Sequence, residues 1–212
     1  MNIKRFQVNP IEENTYIIWD APTREAAVVD CGAWTKDDRQ AIADFISNEG
    51  LQLRMALQTH SHFDHIFGAP WLNEQYGLRP RMHALEEAIY YAMPDMVRKF
   101  GIRMSDPLPR PDEFLTNGEC IMLGYTEIRI QHTPGHTPGG VCFHIPADDL
   151  LLTGDTLFRG SVGRTDLPGG NMGQLVASLH RLLTLSAETT VLPGHGPETT
   201  IGYEAQYNPF AR

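Results

Sequence analysis

A chain of 212 residues, 42% hydrophobic and 20% charged, has the make-up of a folded protein with its own core, and this excludes a disordered chain. Seventeen basic against twenty-six acidic residues leave a net charge of −9, and no run of Lys or Arg gathers the few cations, so nucleic acid is not the expected partner. Cys31, Cys120 and Cys142 form no CxxC pair and are odd in number, which points to free thiols in a reducing compartment. The N-terminus shows no apolar stretch of a leader, and no window approaches the roughly 18 apolar residues of a membrane span. One domain over residues 1–212, cytoplasmic and away from membranes, is the expectation; the oligomeric state stays open.

Asn14 to Trp19 and Glu25 to Asp30 are rich in β-branched and apolar residues and read as strands, with Asp20-Ala21-Pro22-Thr23 as the turn between them. Lys36 to Asn48 has helical spacing at Ile42, Phe45 and Ile46, and Glu49-Gly50 stops it. Met55 to Leu57 is a short strand, Phe67 to Tyr76 a helix and Arg81 to His83 a strand. Glu86 to Phe100 is helical, with Pro94 kinking or dividing it, and Pro107 to Pro111 is an extended loop. Cys120 to Leu123, Thr126 to His132, Val141 to Ile145 and Leu150 to Leu152 are strand-like. Asn171 to Leu183 carries one apolar helical face, and Val191-Leu192 is a last short strand. Strands in blocks, alternating with helices in both halves, favour a layered α/β protein with more than one sheet.

The strongest local signal is Thr59-His60-Ser61-His62-Phe63-Asp64-His65, three histidines and one aspartate directly after a strand. His60 and His62 can converge on one ion, and Asp64 and His65, one step on, can turn to a second. Imidazole and carboxylate together suit zinc, iron or manganese. Three more strands end in Gly followed by a ligand-type residue: Gly135-His136, Gly154-Asp155 and Gly194-His195. Glycine lets the backbone come close to an ion. His132 and His144 lie in strands and His180 beside Arg181 on a helix, places that suit structural or solvated histidines.

His-x-His-x-Asp-His followed by separated Gly-His, Gly-Asp and Gly-His resembles the metallo-β-lactamase fold superfamily. Thr-His-x-His-x-Asp-His, Thr-Pro-Gly-His-Thr-Pro-Gly, Gly-Asp-Thr-Leu-Phe and Gly-Arg-Thr-Asp resemble its glyoxalase II group, the hydroxyacylglutathione hydrolases. The ending Pro-Gly-His-Gly-Pro-Glu-Thr-Thr-Ile-Gly-Tyr-Glu is similar to the group's short, single-domain bacterial branch. The resemblance implies an αββα sandwich, two facing mixed sheets with outer helices, without the C-terminal helical domain with which longer relatives bind glutathione. It also implies two divalent metal ions, zinc foremost, with iron or manganese as alternatives. His60, His62 and His136 would bind the first ion; Asp64, His65 and His195 the second; Asp155 would bridge both. Asp30 matches a supporting position behind the ligands, and Arg164 sits where the family places a basic residue near the glutathione carboxylate. A structural arginine fixing its own loop through Asp166 is the competing reading of Arg164.

The chemistry implied is attack on a small acyl thioester, a glutathione conjugate first among them, by a hydroxide bridging the metals, with Asp64 as the catalytic carboxylate beside it. Cys31 and Cys142 have no adjacent base in the sequence and are not expected to be nucleophiles. The alternative is a persulfide dioxygenase with one iron held by His62, His136 and Asp155, acting on glutathione persulfide. Tyr90, Tyr91, Met93, Met96 and Phe100 either wall the substrate mouth or belong to a plain amphipathic helix packed on the core.

Overall fold

The computed structural model describes residues 1–104 and 107–211. Its first half forms a mixed sheet of six strands in the order β1 (Asn2–Val8), β2 (Glu13–Trp19), β3 (Glu25–Val29), β4 (Gln52–Leu57), β5 (Pro80–His83) and β6 (Phe114–Leu115). The hairpin strands β1 to β3 pair antiparallel, and β3 to β6 run parallel. The second half supplies β7 (Cys120–Leu123), β8 (Thr126–His132), β9 (Val141–Ile145), β10 (Leu150–Gly154), the small β11 (Leu157–Phe158) and β12 (Ser161–Val162) hairpin, β13 (Thr190–Pro193) and β14 (Thr199–Thr200). The second sheet has the order β14-β13-β10-β9-β8-β7, and its β10–β13 pair is parallel.

Alternation along each strand builds the layers. On β2, Tyr16 and Ile18 turn inward with Ala27, Val29 and Leu57 against Ile128, Ile130 and Phe143 of the second sheet. Ile17 and Trp19 turn outward and are covered by Ile42 and Ile46 of α1 (Lys36–Asn48). The outer face of the second sheet, with Cys142, Leu151 and Val191, is covered by Leu175, Leu179 and Leu182 of α5 (Met172–Leu182). The expected αββα sandwich is the fold.

Helix α1 has the expected bounds because Thr35 and Asp38 cap it reciprocally. Helices α2 (Phe63–Ile66) and α3 (Ala69–Tyr76) lie between β4 and β5, α4 (Glu87–Arg98) between β5 and β6, and α6 (Ile201–Tyr207) near the C-terminus. Pro94 sits inside α4 without dividing it. The helix expected from Phe67 begins two residues later, at Ala69, and the Phe63–Asp64–His65 stretch of the histidine motif is itself one turn of helix, α2. No helix among the described residues is long and apolar enough to cross a membrane.

Candidate metal centre

The ligand-type residues stand on loops at the C-terminal ends of β3, β4, β8, β10 and β13, which open on one edge of the sandwich. His60 and His62 follow β4, His136 follows β8, Asp155 follows β10 and His195 follows β13. His60 Nε2 lies 3.2 Å from His136 Nε2, and the His62 ring packs edge-on against both rings, at 4.9 and 4.5 Å. Asp64 Oδ2 lies 3.1 Å from His195 Nε2 and 3.6 Å from His65 Nε2.

Asp155 stands between the two groups: Oδ1 is 3.4 Å from His65 Nε2, while Oδ2 is 3.6 Å from His136 Nε2 and 3.8 Å from His195 Nε2. Two nitrogens each bound at 2.0–2.1 Å to a tetrahedral ion stand about 3.4 Å apart. The observed separations therefore suit ligands around a cation better than direct hydrogen bonds. His65 Nε2 and Asp155 Oδ1 are buried without any hydrogen-bond partner, and a cation would supply the missing one. His60, His62 and His136 form one group able to hold a metal ion, and Asp64, His65 and His195 another.

Charge divides the centre in the same way. Burial and the surrounding imidazoles hold His60 well below the usual histidine range and push His62 down to about 4, so both imidazoles are neutral, the form that can bind a metal ion. At His65 burial acts in the same direction, but the carboxylates of Asp155 and Asp64 outweigh it and raise the imidazole well above its ordinary value. Asp155 is likewise held low, against its burial, by His65 and then His136.

Of the three glycines that precede a ligand-type residue, Gly194 packs against the centre, while a Cβ at Gly135 would meet Leu175 and one at Gly154 would meet Thr59. A Cβ at Gly194 would overlap Asp155 Oδ1 and the His65 ring, and one at Gly163 would overlap the Asp155 carbonyl and crowd His136 Nδ1.

Behind the ligands, Asp30 takes an αL backbone, with φ 49°, and aims its carboxylate inward. Its Oδ2 lies 3.0 Å from His65 Nδ1 and accepts from Thr59 Oγ1 at 2.5 Å, and Thr59 Oγ1 in turn lies 3.0 Å from His60 Nδ1. Arg164 lines the cleft over the centre, but its guanidinium is exposed and makes a two-pronged pair with Asp166, at 2.7 Å for each prong. Its carbonyl accepts from His136 Nδ1 at 2.7 Å, a main-chain role that no reading of the side chain foresees.

Three supporting residues escape sequence reasoning. Glu86, fully buried, accepts from Ser61 N at 2.7 Å and Gly139 N at 2.8 Å, joining the His60–His62 loop to the His136 loop. Asn14 donates to the carbonyls of Pro193 and Gly196 on either side of His195, at 3.0 and 2.9 Å. Gln58 donates to Asp30 Oδ1 at 2.9 Å and to the His60 carbonyl at 2.8 Å. A polar run at the start of a buried strand, Glu13-Asn14-Thr15, was the one available signal for Asn14.

A cleft of about 590 Å³ opens above the centre. Met93, Met96 and Phe100 wall it as the mouth reading expects, whereas Tyr90 is buried in the core with its hydroxyl on the Pro109 carbonyl at 3.0 Å.

Comparison with known proteins agrees with this geometry. The model of the metallo-beta-lactamase superfamily matches residues 8–195. A hydroxyacylglutathione hydrolase GloC of Haemophilus influenzae is 32% identical over 99% of this chain and 98% of its own length. Among solved structures, the BLEG-1 B3 metallo-beta-lactamase superposes with a TM-score of 0.88 at 34% identity, covering 99% of both chains. TTHA1623, solved in a di-iron-bound form, gives 0.87 at 37% identity, covering 98% of this chain and 99% of its own. Sequence, fold and ligand geometry thus agree that the chain belongs to the metallo-β-lactamase superfamily.

Proposed function

We propose that this protein is a dinuclear metal-dependent hydrolase of small acyl thioesters, of the hydroxyacylglutathione hydrolase type. The observation that carries the reading is the meeting of two ligand groups at the single carboxylate of Asp155, on the floor of an open cleft. The similarity to GloC supports glutathione conjugates as the first substrates to test.

When bound, a pair of divalent ions supplies Lewis acidity and brings the pKa of a water near neutrality. The residues do the rest. His60, His62 and His136 would hold one ion and Asp64, His65 and His195 the other, with the Asp155 carboxylate within reach of both groups. Asp30 accepts from His65 Nδ1, leaving Nε2 as the lone-pair atom aimed at the centre. Asp64, at the cleft floor, is placed to accept a hydrogen bond from the attacking water and so orient it. Arg164 offers a cation at the cleft rim to an anionic thiol limb. The Cys31 and Cys142 thiols do not compete as nucleophiles: both are buried, and burial pushes them up to about 12 and about 11.

The completeness of the Asp64, His65 and His195 group weighs against the one-iron dioxygenase reading, which leaves it without work. The test is thiol release from S-lactoylglutathione by the purified, metal-loaded protein, run beside a β-lactam because of the likeness to BLEG-1. Thiol release without β-lactam opening is the expected result. β-Lactam opening without thiol release, or oxygen uptake with glutathione persulfide, would replace the proposal.

A further inference from the structure

The cleft over the metal centre forks. Its main chamber, about 590 Å³, holds Asp64, Asp155, His136, His195 and the cation Arg164. A second groove of about 230 Å³ adjoins it at His62 and is lined by Ala88, Ile89 and Ala92 of α4 and by Pro168. The two share His62, Met93, Met96 and Leu167. Among the described residues, His62 is the only lining side chain of the groove with a nitrogen or oxygen atom.

A thioester has two limbs diverging from one carbonyl carbon, and a fork at the ligand residues sends them different ways. A peptidic thiol limb with carboxylates and amides would lose its hydration in the groove and find few partners there, which is unfavourable. The hydroxyl of a short hydroxyacyl group would gain nothing there either. An alkyl chain gains about fourfold in affinity for each methylene fully removed from water. Ala88 and Ala92 leave a low floor where larger side chains would close the groove, while Met93 and Met96 give an adaptable wall.

Resting on the thioester reading above, we infer that the acyl group of the preferred substrate is an unbranched apolar chain lying in the α4 groove, with the thiol limb in the chamber beside Arg164. The enzyme then favours medium-chain acyl thioesters over lactoyl or acetyl ones.

The experiment measures kcat/KM for acetyl, butyryl, hexanoyl and octanoyl thioesters of one thiol, with the metal-loaded protein and with Ala92→Trp. In the wild type kcat/KM rises about two- to fourfold per methylene, the lower figure applying where the open groove leaves the chain half covered. Ala92 is solvent-exposed, so the tryptophan tests the groove without disturbing the core. It lowers kcat/KM for the octanoyl ester at least tenfold and moves the optimum to shorter chains. Inhibition by the free alkanoates gives a second readout: octanoate binds more tightly than acetate in the wild type, and the difference shrinks in Ala92→Trp. A profile that is flat or falls with chain length overturns the acyl assignment and leaves the thioester reading standing. A rising profile that Ala92→Trp does not change overturns the location. Failure to cleave any thioester overturns both readings.

Discussion

Asp30 Oδ2 lies 3.0 Å from Nδ1 of His65, and through Thr59 Oγ1 the same oxygen also reaches His60. One carboxylate thus orients an imidazole in each of the two ligand groups. Supporting residues of this kind cost about 10- to 100-fold in metal affinity when lost. Asp30→Asn, which keeps a side chain tolerant of the αL backbone, is expected to weaken both groups by that factor, and Thr59→Val only the group containing His60. Titrating metal-stripped protein against a competing chelator distinguishes the two variants; equal weakening by both would break the relay.

Glu86 holds two loops at once. Glu86→Ala leaves the buried N–H groups of Ser61 and Gly139 without an acceptor, at about 1–3 kcal/mol each. A loss of about 3 kcal/mol or more in urea unfolding is expected. Glu86→Gln, which keeps one carbonyl oxygen, should lose roughly half as much. A change below about 0.5 kcal/mol for Glu86→Ala would show that the loops hold themselves.

The sequence makes some of this visible and hides the rest for physical reasons. Helix α1 is legible because its cap and its apolar face are both local, and the ligand loops because each ligand follows its strand within a few residues. The four-residue α2 and the two-residue β6, β11, β12 and β14 are too short to show a period in the sequence. Helix α6, seven residues long, buries only Ile201 and Glu204, so its sequence carries no apolar stripe. Glu86 and Asn14 act through partners 25 to 182 residues away, so nothing beside them in the chain announces their work. Arg164 shows the reverse: both readings of it were open in the sequence, and the side chain is found on Asp166 at the rim of the cleft.

Thiol labelling separates the three cysteines. Alkylation needs thiolate, and the buried Cys31 and Cys142 are pushed up to about 12 and about 11, whereas Cys120 is exposed. At pH 8 one label per native chain is expected, on Cys120, and three after denaturation. Rapid native labelling of Cys31 or Cys142 would reopen a covalent mechanism.

Arg164→Ala removes an exposed, solvent-screened ion pair, so the urea unfolding midpoint should stay at the wild-type value. The main-chain contact to His136 survives, so metal content should not change. The KM for thioesters with an anionic thiol limb is expected to rise about three- to tenfold, with little effect on a neutral thiol ester. Equal KM values for both substrates in variant and wild type would remove Arg164 from substrate binding.

Metal stoichiometry tests the dinuclear thioester hydrolase most directly. Metal-stripped protein is titrated with zinc, iron or manganese while bound metal and thioester hydrolysis are followed together, for the wild type and for Asp155→Ala. Hydrolysis that reaches its maximum near two ions per chain, and a variant that retains well under one ion because the two groups have lost their shared carboxylate, is the predicted result. Saturation at a single iron per chain, with oxygen consumed when glutathione persulfide is added and no thioester cleaved, would contradict it.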